Sequence, residues 1–231
     1  SYGATGWWDK SAYKEGMVLG DIWGLQFDRF LTEDDFNADG SLKAGLPDQT
    51  KVFPAGYQFA PGDVLYKDLD NNGEIVKQTN TNDKGDLSVI GNALPRLQFG
   101  LNLDAAWKGF DISMFFQGVA KRKLWAAGNQ VLPGFTTGEP FYKGAEDYWT
   151  PENTDAFYPR PMDYKQSASG NYSVNDRYLL NMAYLRLKTF TVGYSLPKVW
   201  LSKFKVQGLR VYFTGENLFT IDGVKPAIDP E

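Results

Sequence analysis

Apolar and polar residues alternate with a period of two over long stretches of this chain. Leu97, Phe99, Leu101, Leu103, Ala105 and Trp107 share one parity, with Gln98, Gly100, Asn102 and Asp104 on most of the other. After Lys108-Gly109 the alternation resumes in Phe110, Ile112, Met114 and Phe116, set against Asp111, Ser113, Phe115 and Gln117. A period of two sends every second side chain to the same face of a strand. A two-residue loop then predicts a hairpin that pairs Trp107 with Phe110, Ala105 with Ile112, Leu103 with Met114 and Leu101 with Phe116. One face of that hairpin is apolar throughout. The other is small and polar, with Phe115 as the exception.

A second hairpin is predicted near the end of the chain. Phe190, Val192, Tyr194 and Leu196 alternate with Thr189, Thr191, Gly193 and Ser195. Beyond a connection from Pro197 to about Lys205, Leu209, Val211 and Phe213 alternate with Arg210, Tyr212, Thr214 and Glu216. An earlier strand is predicted around Leu19 to Phe30, with Trp23, Leu25 and Phe27 on one parity. No amphipathic helical period stands out.

The connections alternate between long and short. Residues from about 31 to 94 and from about 121 to 183 are rich in turn formers, whereas Lys108-Gly109 and the link after Leu196 are brief. Long structureless loops are uncommon in compact domains. A barrel of the outer-membrane type has short periplasmic turns and long external loops, and strands of about ten residues suit a tilted crossing. The fold class predicted is therefore all-β: part of an antiparallel transmembrane β-barrel with long extracellular loops. The alternative is a secreted β-sandwich, a calcium-dependent carbohydrate-binding module or a glycosidase, whose apolar faces press on each other. Two features favour the barrel. The polar faces carry Gly, Ser and Thr in place of Lys and Glu, and Trp107, Trp125, Tyr184 and Tyr194 lie near strand ends, where interfacial aromatic girdles belong.

Composition narrows the chemistry. The 231 residues hold no His and no Cys, which removes imidazole bases, thiolate nucleophiles and nearly every zinc site. A net charge of -4 without a basic block argues against nucleic acid as a partner. Five or so strands cannot close a lipid-facing barrel, and open edges in hydrocarbon cost several kcal/mol per unpaired backbone group. Residues 1–231 are thus expected to be an incomplete barrel that stops in a loop at Asp229-Pro230-Glu231, with at least one closing strand outside it.

A series of short blocks, in order and at consistent spacing, resembles one family. They are Glu15-Gly16-Met17 through Phe27-Asp28, Pro61-Gly62-Asp63-Val64-Leu65-Tyr66-Lys67-Asp68, and Val89-Ile90-Gly91-Asn92 before Pro95. Next come Gly109-Phe110-Asp111 with Phe115-Phe116-Gln117-Gly118, then Trp149-Thr150-Pro151-Glu152-Asn153 with Tyr158-Pro159-Arg160. Tyr184 to Lys188, Val192 to Pro197, Leu209 to Tyr212, Asn217 to Thr220 and the terminal Asp229-Pro230-Glu231 complete the set. The chain resembles the C-terminal part of SusC/RagA-like TonB-dependent outer-membrane transporters of Bacteroidota. It departs from them at Val224-Lys225-Pro226-Ala227-Ile228, where the family usually carries Tyr and Gly. The resemblance implies a barrel of about 22 strands with a plugged lumen, located in the outer membrane of a Gram-negative bacterium. It also implies nutrient import, mostly of oligosaccharides and in a substantial minority of peptides. The implied partners are a SusD-like surface lipoprotein, the rest of the same barrel, outer-membrane lipid, and the TonB complex. The TonB-contacting segment and the plug are N-terminal in the family and lie outside this chain. No enzymatic role is expected.

One motif carries candidate metal chemistry. Asp68-Leu69-Asp70-Asn71-Asn72-Gly73-Glu74-Ile75 sets oxygen ligands at alternate positions, Gly at the sixth and an aliphatic at the eighth, like the first two-thirds of an EF-hand-type loop. Position seven would offer the backbone carbonyl of Glu74. The twelfth position, Thr79, cannot give a bidentate carboxylate. The resemblance implies that Asp86, displaced seven positions by an insertion, closes the site, with Asp83 beside it. The candidate ligands of a structural Ca2+ or Mg2+ are thus Asp68, Asp70, Asn72, Glu74 and Asp86, and the competing reading is an Asx-rich turn that satisfies its own backbone. No catalytic residue is assigned. The acid pairs Asp34-Asp35 and Glu146-Asp147 have no partner base, which makes glycosidase chemistry a weak reading. Trp7, Trp8, Trp125, Phe135, Tyr142, Tyr148, Trp149, Phe157 and Tyr158 could stack on ligand or anchor loops, and Trp149 to Arg160 reads as scaffold. Arg210 and Glu216 fall on the lumen-facing parity with no assigned role.

Overall fold

The 11-residue apolar alternation at Leu97–Trp107 and its partner at Phe110–Ala120 form the longest uninterrupted pairing in the computed structural model. The structure describes residues 18–77, 83–128, 130–134, 142–162, 170–225 and 229–230. Its strands are β1 (Asp21–Gly24), β2 (Phe27–Phe30), β3 (Val64–Tyr66), β4 (Ser88–Asn92), β5 (Leu97–Trp107) and β6 (Phe110–Ala120). They continue with β7 (Lys123–Leu124), β8 (Leu180–Asn181), β9 (Tyr184–Ser195) and β10 (Arg210–Asp222); a one-turn helix, α1 (Lys198–Leu201), precedes β10. Among the described residues no helix is long and apolar enough to cross a membrane, which leaves strand crossings open. The described residues of Ser1–Leu94 and Lys123–Leu180 form one compact unit, and those of Pro95–Arg122 and Asn181–Val224 another.

The second unit is a four-stranded antiparallel sheet in the order β10-β9-β6-β5. Its first hairpin has the expected register: Trp107 faces Phe110, Ala105 faces Ile112, Leu103 faces Met114 and Leu101 faces Phe116. Lys108 and Gly109 both take positive φ, 48° and 89°, the backbone that matches a tight turn to the right-handed twist of its strands. Phe110 then faces Tyr194 and Ile112 faces Val192 across β9, which in turn face Val211 and Phe213 on β10. Apolar rows therefore run across all four strands.

Two details extend the sequence reading. The β9 strand starts at Tyr184, earlier than its clear alternation, because a bulge absorbs a parity change. Thr189 faces Phe115 while Leu187 faces Phe116, so Lys188 is the extra residue, and Leu187 and Leu185 return to the apolar rows. Phe115, the misfit on the polar face, lies over Gly100: a Cβ there would meet its ring at 3.0 Å. Phe99 covers Gly118 in the same way on the apolar face, where a Cβ would come within 2.2 Å of the ring.

In the first unit the long connections pack on their own core. Leu25, Phe30, Val64, Tyr66, Ile75 and Trp149 are among its buried members, with Tyr57 and Phe59 packed against them. The single strand expected around Leu19 to Phe30 is instead two. β1 pairs with β4 and β2 with β3, and between them Leu25 turns wholly inward and bridges Asn175. Burial of Leu25 and the bulges in both pairings break what alternation alone reads as continuous.

Candidate functional site

The Asp68–Ile75 motif folds as a tight loop. Asn71 and Gly73 take positive φ, 59° and 86°, which lets the chain reverse so that alternate side chains face inward. Asp68 accepts from the Gly73 N–H at 2.8 Å, Asp70 from the Asn72 N–H at 3.1 Å, and Asn72 Oδ1 from the Glu74 N–H at 2.8 Å. The aliphatic eighth position, Ile75, is fully buried, and its N–H donates to the Asp48 carbonyl at 2.7 Å, fixing the loop to the core.

Asp86 reaches this loop from outside the motif. It is fully buried and accepts from the Leu69 and Val76 N–H groups, each at 2.8 Å, so one carboxylate clamps both arms of the loop. Carboxylate oxygens of Asp68, Asp70 and Asp86 lie within 4.8 Å of one another. Of the five sequence-derived ligands, these three converge by side chain. The Asn72 amide donates to Asp70 Oδ2 at 3.0 Å, and the Glu74 carboxylate is turned to Lys51, leaving that residue only its backbone carbonyl to offer. Asp83 accepts from the Gly85 N–H at 3.0 Å. Thr79 lies outside the described residues. The Gly73 N–H, ahead of its neighbours, holds Asp68 below the usual carboxylate range. Asp70 is pushed up, by desolvation first and then by the charges of Asp86 and Asp68. Three carboxylates so close repel one another, and a hard cation with oxygen ligands relieves that repulsion.

A second constellation was absent from the candidate residues above. Asp63 is fully buried, and its carboxylate accepts from Arg160 Nε at 2.8 Å, Tyr57 Oη at 2.9 Å, Asn171 Nδ2 at 3.0 Å and the Ala60 N–H at 2.9 Å. Burial, followed by the Asp63 charge, raises the Tyr57 phenol. Asn171 passes the network on by accepting from the Val64 N–H at 2.8 Å. Gly62 has φ 90°, and a Cβ there would stand 2.5 Å from the Trp149 ring and 2.8 Å from the Arg160 Cβ. Only glycine admits both neighbours. These bonds tie Asp63 to Arg160 and Asn171, far along the chain, and the group reads as a joint between distant loop segments.

The third feature is the apolar face of the sheet. On the edge strands its side chains are exposed, including Trp107 at 69% and Phe213 at 63%. Asp104, Ser113, Thr191 and Thr214 form a row on the opposite face, where Arg210 pairs with Asp111.

No family model matches the chain. It is 30% identical over 224 residues to TonB-dependent receptor P3 of Formosa agariphila, covering 94% of this chain and 19% of that one. It is also 25% identical over 209 residues to TonB-dependent receptor SusC of Bacteroides thetaiotaomicron, covering 86% of this chain and 20% of that one. This is SusC/RagA-like TonB-dependent transporter sequence. The chain spans about a fifth of the length of these curated relatives. Its fold agrees with that of the RagAB peptide importer in its open-open state, with a TM-score of 0.54 at 18% identity over 91% of this chain and 19% of that one. The RagAB peptide transporter gives 0.56 over 91% and 20%. The chain is all-β and antiparallel, a portion of a TonB-dependent barrel that these strands do not close.

The SusC/RagA-like blocks acquire physical meaning here. Pro61-Gly62-Asp63 and Tyr158-Pro159-Arg160 are the two halves of the buried joint, with Trp149 seated on Gly62. Among the aromatic candidates, Trp149 and Tyr158 are buried, and Tyr158 Oη donates to the Val131 carbonyl at 2.9 Å. Phe157 packs edge-on to Tyr158 and Tyr178. Tyr142 and Tyr148 are exposed. Trp7, Trp8, Phe135 and the Glu15-Gly16-Met17 block lie outside the described residues. Asp35 is occupied by Arg29 at 2.6 Å.

Proposed function

We propose that this chain is wall and loop of an outer-membrane transporter that imports nutrients of the oligosaccharide or peptide class. TonB drives the import, and a SusD-like surface lipoprotein works with the barrel. The observation that carries this reading is the apolar face that crosses four strands and stays exposed on both edge strands. At about 3.4 Å per residue an 11-residue strand is about 37 Å long, and a tilt of about 40° brings its height to about 29 Å, close to the hydrocarbon thickness. The sandwich alternative needs a second sheet on that face. Kinship with TonB-dependent receptors supports the membrane reading over it.

Import in this reading is binding, gating and release, with no covalent step. The wall contributes a Gly, Ser and Thr-rich inner surface and a rigid loop unit held by the Asp63–Arg160 joint. We assign the Asp68, Asp70 and Asp86 cluster to a structural Ca2+ or Mg2+. The ion would neutralise the three carboxylates and fix the loop, with Asn72 and the Glu74 carbonyl as further oxygen donors.

The test is uptake of labelled oligosaccharides and peptides by cells with and without the complete transporter. The account predicts TonB-dependent loss of one class on deletion and recovery on complementation. Uptake unchanged for both classes contradicts it.

A further inference from the structure

The link between β9 and β10 is short but unlike an ordinary turn. Lys198–Leu201 make one helical turn, Ser202–Phe204 continue as a 3-10 turn, and Lys205 closes it with φ 55°. The link is internally braced: Val206 N–H donates to the Leu201 carbonyl at 3.3 Å and Ser202 Oγ to the Val199 carbonyl at 3.0 Å. Leu201 is buried, while Val199, Trp200 and Phe204 are exposed at 75%, 59% and 77%. A single exposed apolar residue is ordinary, but three within six positions of a braced turn are not.

Charge points to what covers them. Lys198, Lys203 and Lys205 lie among these apolar residues, and no acidic residue occurs from Leu196 to Leu209. Lys108 stands at the adjacent tight turn, which is tied to this end of the sheet by the Ser195 N–H donating to the Gly109 carbonyl at 2.8 Å. Its ammonium sits 4.8 Å from the centroid of the Trp107 ring. Trp107, Phe110, Tyr194 and Val211 form the last apolar row at the same end. At this end of the sheet the last apolar row is thus followed along the chain by a link rich in exposed apolar side chains and lysines. Aromatic bodies prefer the headgroup level, and lysine stems lie along apolar surface with the ammonium at the phosphates.

We propose that the β9–β10 link is an interfacial anchor whose Val199, Trp200 and Phe204 enter the membrane boundary while Lys198, Lys203 and Lys205 bind anionic phospholipid headgroups. It rests on the reading of the sheet as membrane wall. The partner is a lipid surface and not a protein because the link adjoins the lipid-facing row and its charge is of one sign.

The test uses the complete transporter in phosphatidylethanolamine vesicles, with brominated phosphatidylglycerol or brominated phosphatidylethanolamine as quencher. The Trp200 signal is the difference between wild type and Trp200→Leu; Phe204→Trp supplies a second reporter on the same surface. The expected result is blue-shifted Trp200 emission, quenched more by brominated phosphatidylglycerol. The preference should fall about fivefold per lysine in the Lys198→Gln, Lys203→Gln and Lys205→Gln series. Quenching by aqueous acrylamide but not by bromolipid overturns the anchor, and so does bromolipid quenching with no preference between headgroups. Phe213→Trp separates the premises. If it is quenched while Trp200 is not, the anchor alone fails, whereas an unquenched Phe213→Trp refutes the membrane wall itself.

Discussion

Arg160 and Asp63 stand 97 positions apart in the chain, yet Arg160 Nε donates to Asp63 Oδ1 at 2.8 Å and Nη2 to Oδ2 at 3.2 Å. This fork joins the connection that follows β2 to the one that precedes β8. It turns two stretches without periodicity into one packed unit. Removing one partner of a buried pair leaves an uncompensated charge, at about 3–5 kcal/mol. Arg160→Leu should therefore speed hydrogen exchange at the Ala60 and Val64 amides of the complete transporter while leaving β5 and β6 protected. Arg160→Lys should restore part of the protection, since an ammonium cannot make the fork. Equal exchange in wild type and Arg160→Leu contradicts this role.

On the polar sheet face, Gly193 is the gap through which Arg210 reaches Asp111. A Cβ at 193 would lie 2.6 Å from Arg210 Nη2 and 2.8 Å from Asp111 Oδ1. Gly193→Val should break the pair and cost about 1–3 kcal/mol through crowding. In a background where Asp111→Asn has already weakened the pair, the same substitution should cost less. Denaturant midpoints in lipid for the four proteins of this cycle check it, and full additivity argues against coupling.

Asp35 carries the clearest pH dependence. Its bond with Arg29, ahead of the Thr32 contacts, holds its carboxyl at about 2, below the ordinary 3.8. A lowered carboxylate stabilises the fold above its unfolded value and loses that contribution as pH falls from about 4 towards 2. With the Arg29 side chain half in solvent, the effect is about 1–2 kcal/mol. Hydrogen exchange across β2 should rise through that window in wild type. In Asp35→Asn it should be raised already at neutral pH and flat on acidification.

The acidic loop gives a calorimetric prediction. Calcium titrated into the complete transporter should give a binding heat that Asp70→Ala or Asp86→Ala removes and Glu74→Gln keeps, because the Glu74 carboxylate is engaged with Lys51. Since desolvation, and after it the charges of Asp86 and Asp68, push Asp70 upward, protons compete with the cation, and affinity should weaken as pH is lowered. Indistinguishable heats from wild type and Asp70→Ala dismiss the ion.

What could be read in advance follows from the range of the forces involved. The β5–β6 register was legible because a one-residue slip would turn every apolar side chain to the wrong face. The Lys188 bulge was hidden, since a parity change inside an alternating strand looks like its end. The loop core was hidden for a different reason. Val52, Trp149 and Asn171 become buried through contacts far along the chain, and no local period marks them. In the acidic loop, spacing identified Asp68 and Asp70, whereas Asp86 came only from family likeness, since nothing local ties it to the motif. Asp63 and Arg160 were visible as members of two blocks that resemble a known family, without their pairing. Salt bridges between distant loops leave no pattern in one sequence.

The central claim is that hydrocarbon covers the apolar face of the four-stranded sheet. Leu103 and Asn102 are neighbours near the middle of β5 and point to opposite faces. Arginine at a lipid-facing mid-plane position costs about 2–4 kcal/mol, whereas on a water-filled lumen side it is tolerated. Unfolding of the complete transporter from lipid vesicles should show Leu103→Arg destabilised by that amount and Asn102→Arg changed by less than about 1 kcal/mol. Equal costs for the two substitutions, or a larger one for Asn102→Arg, would contradict the account.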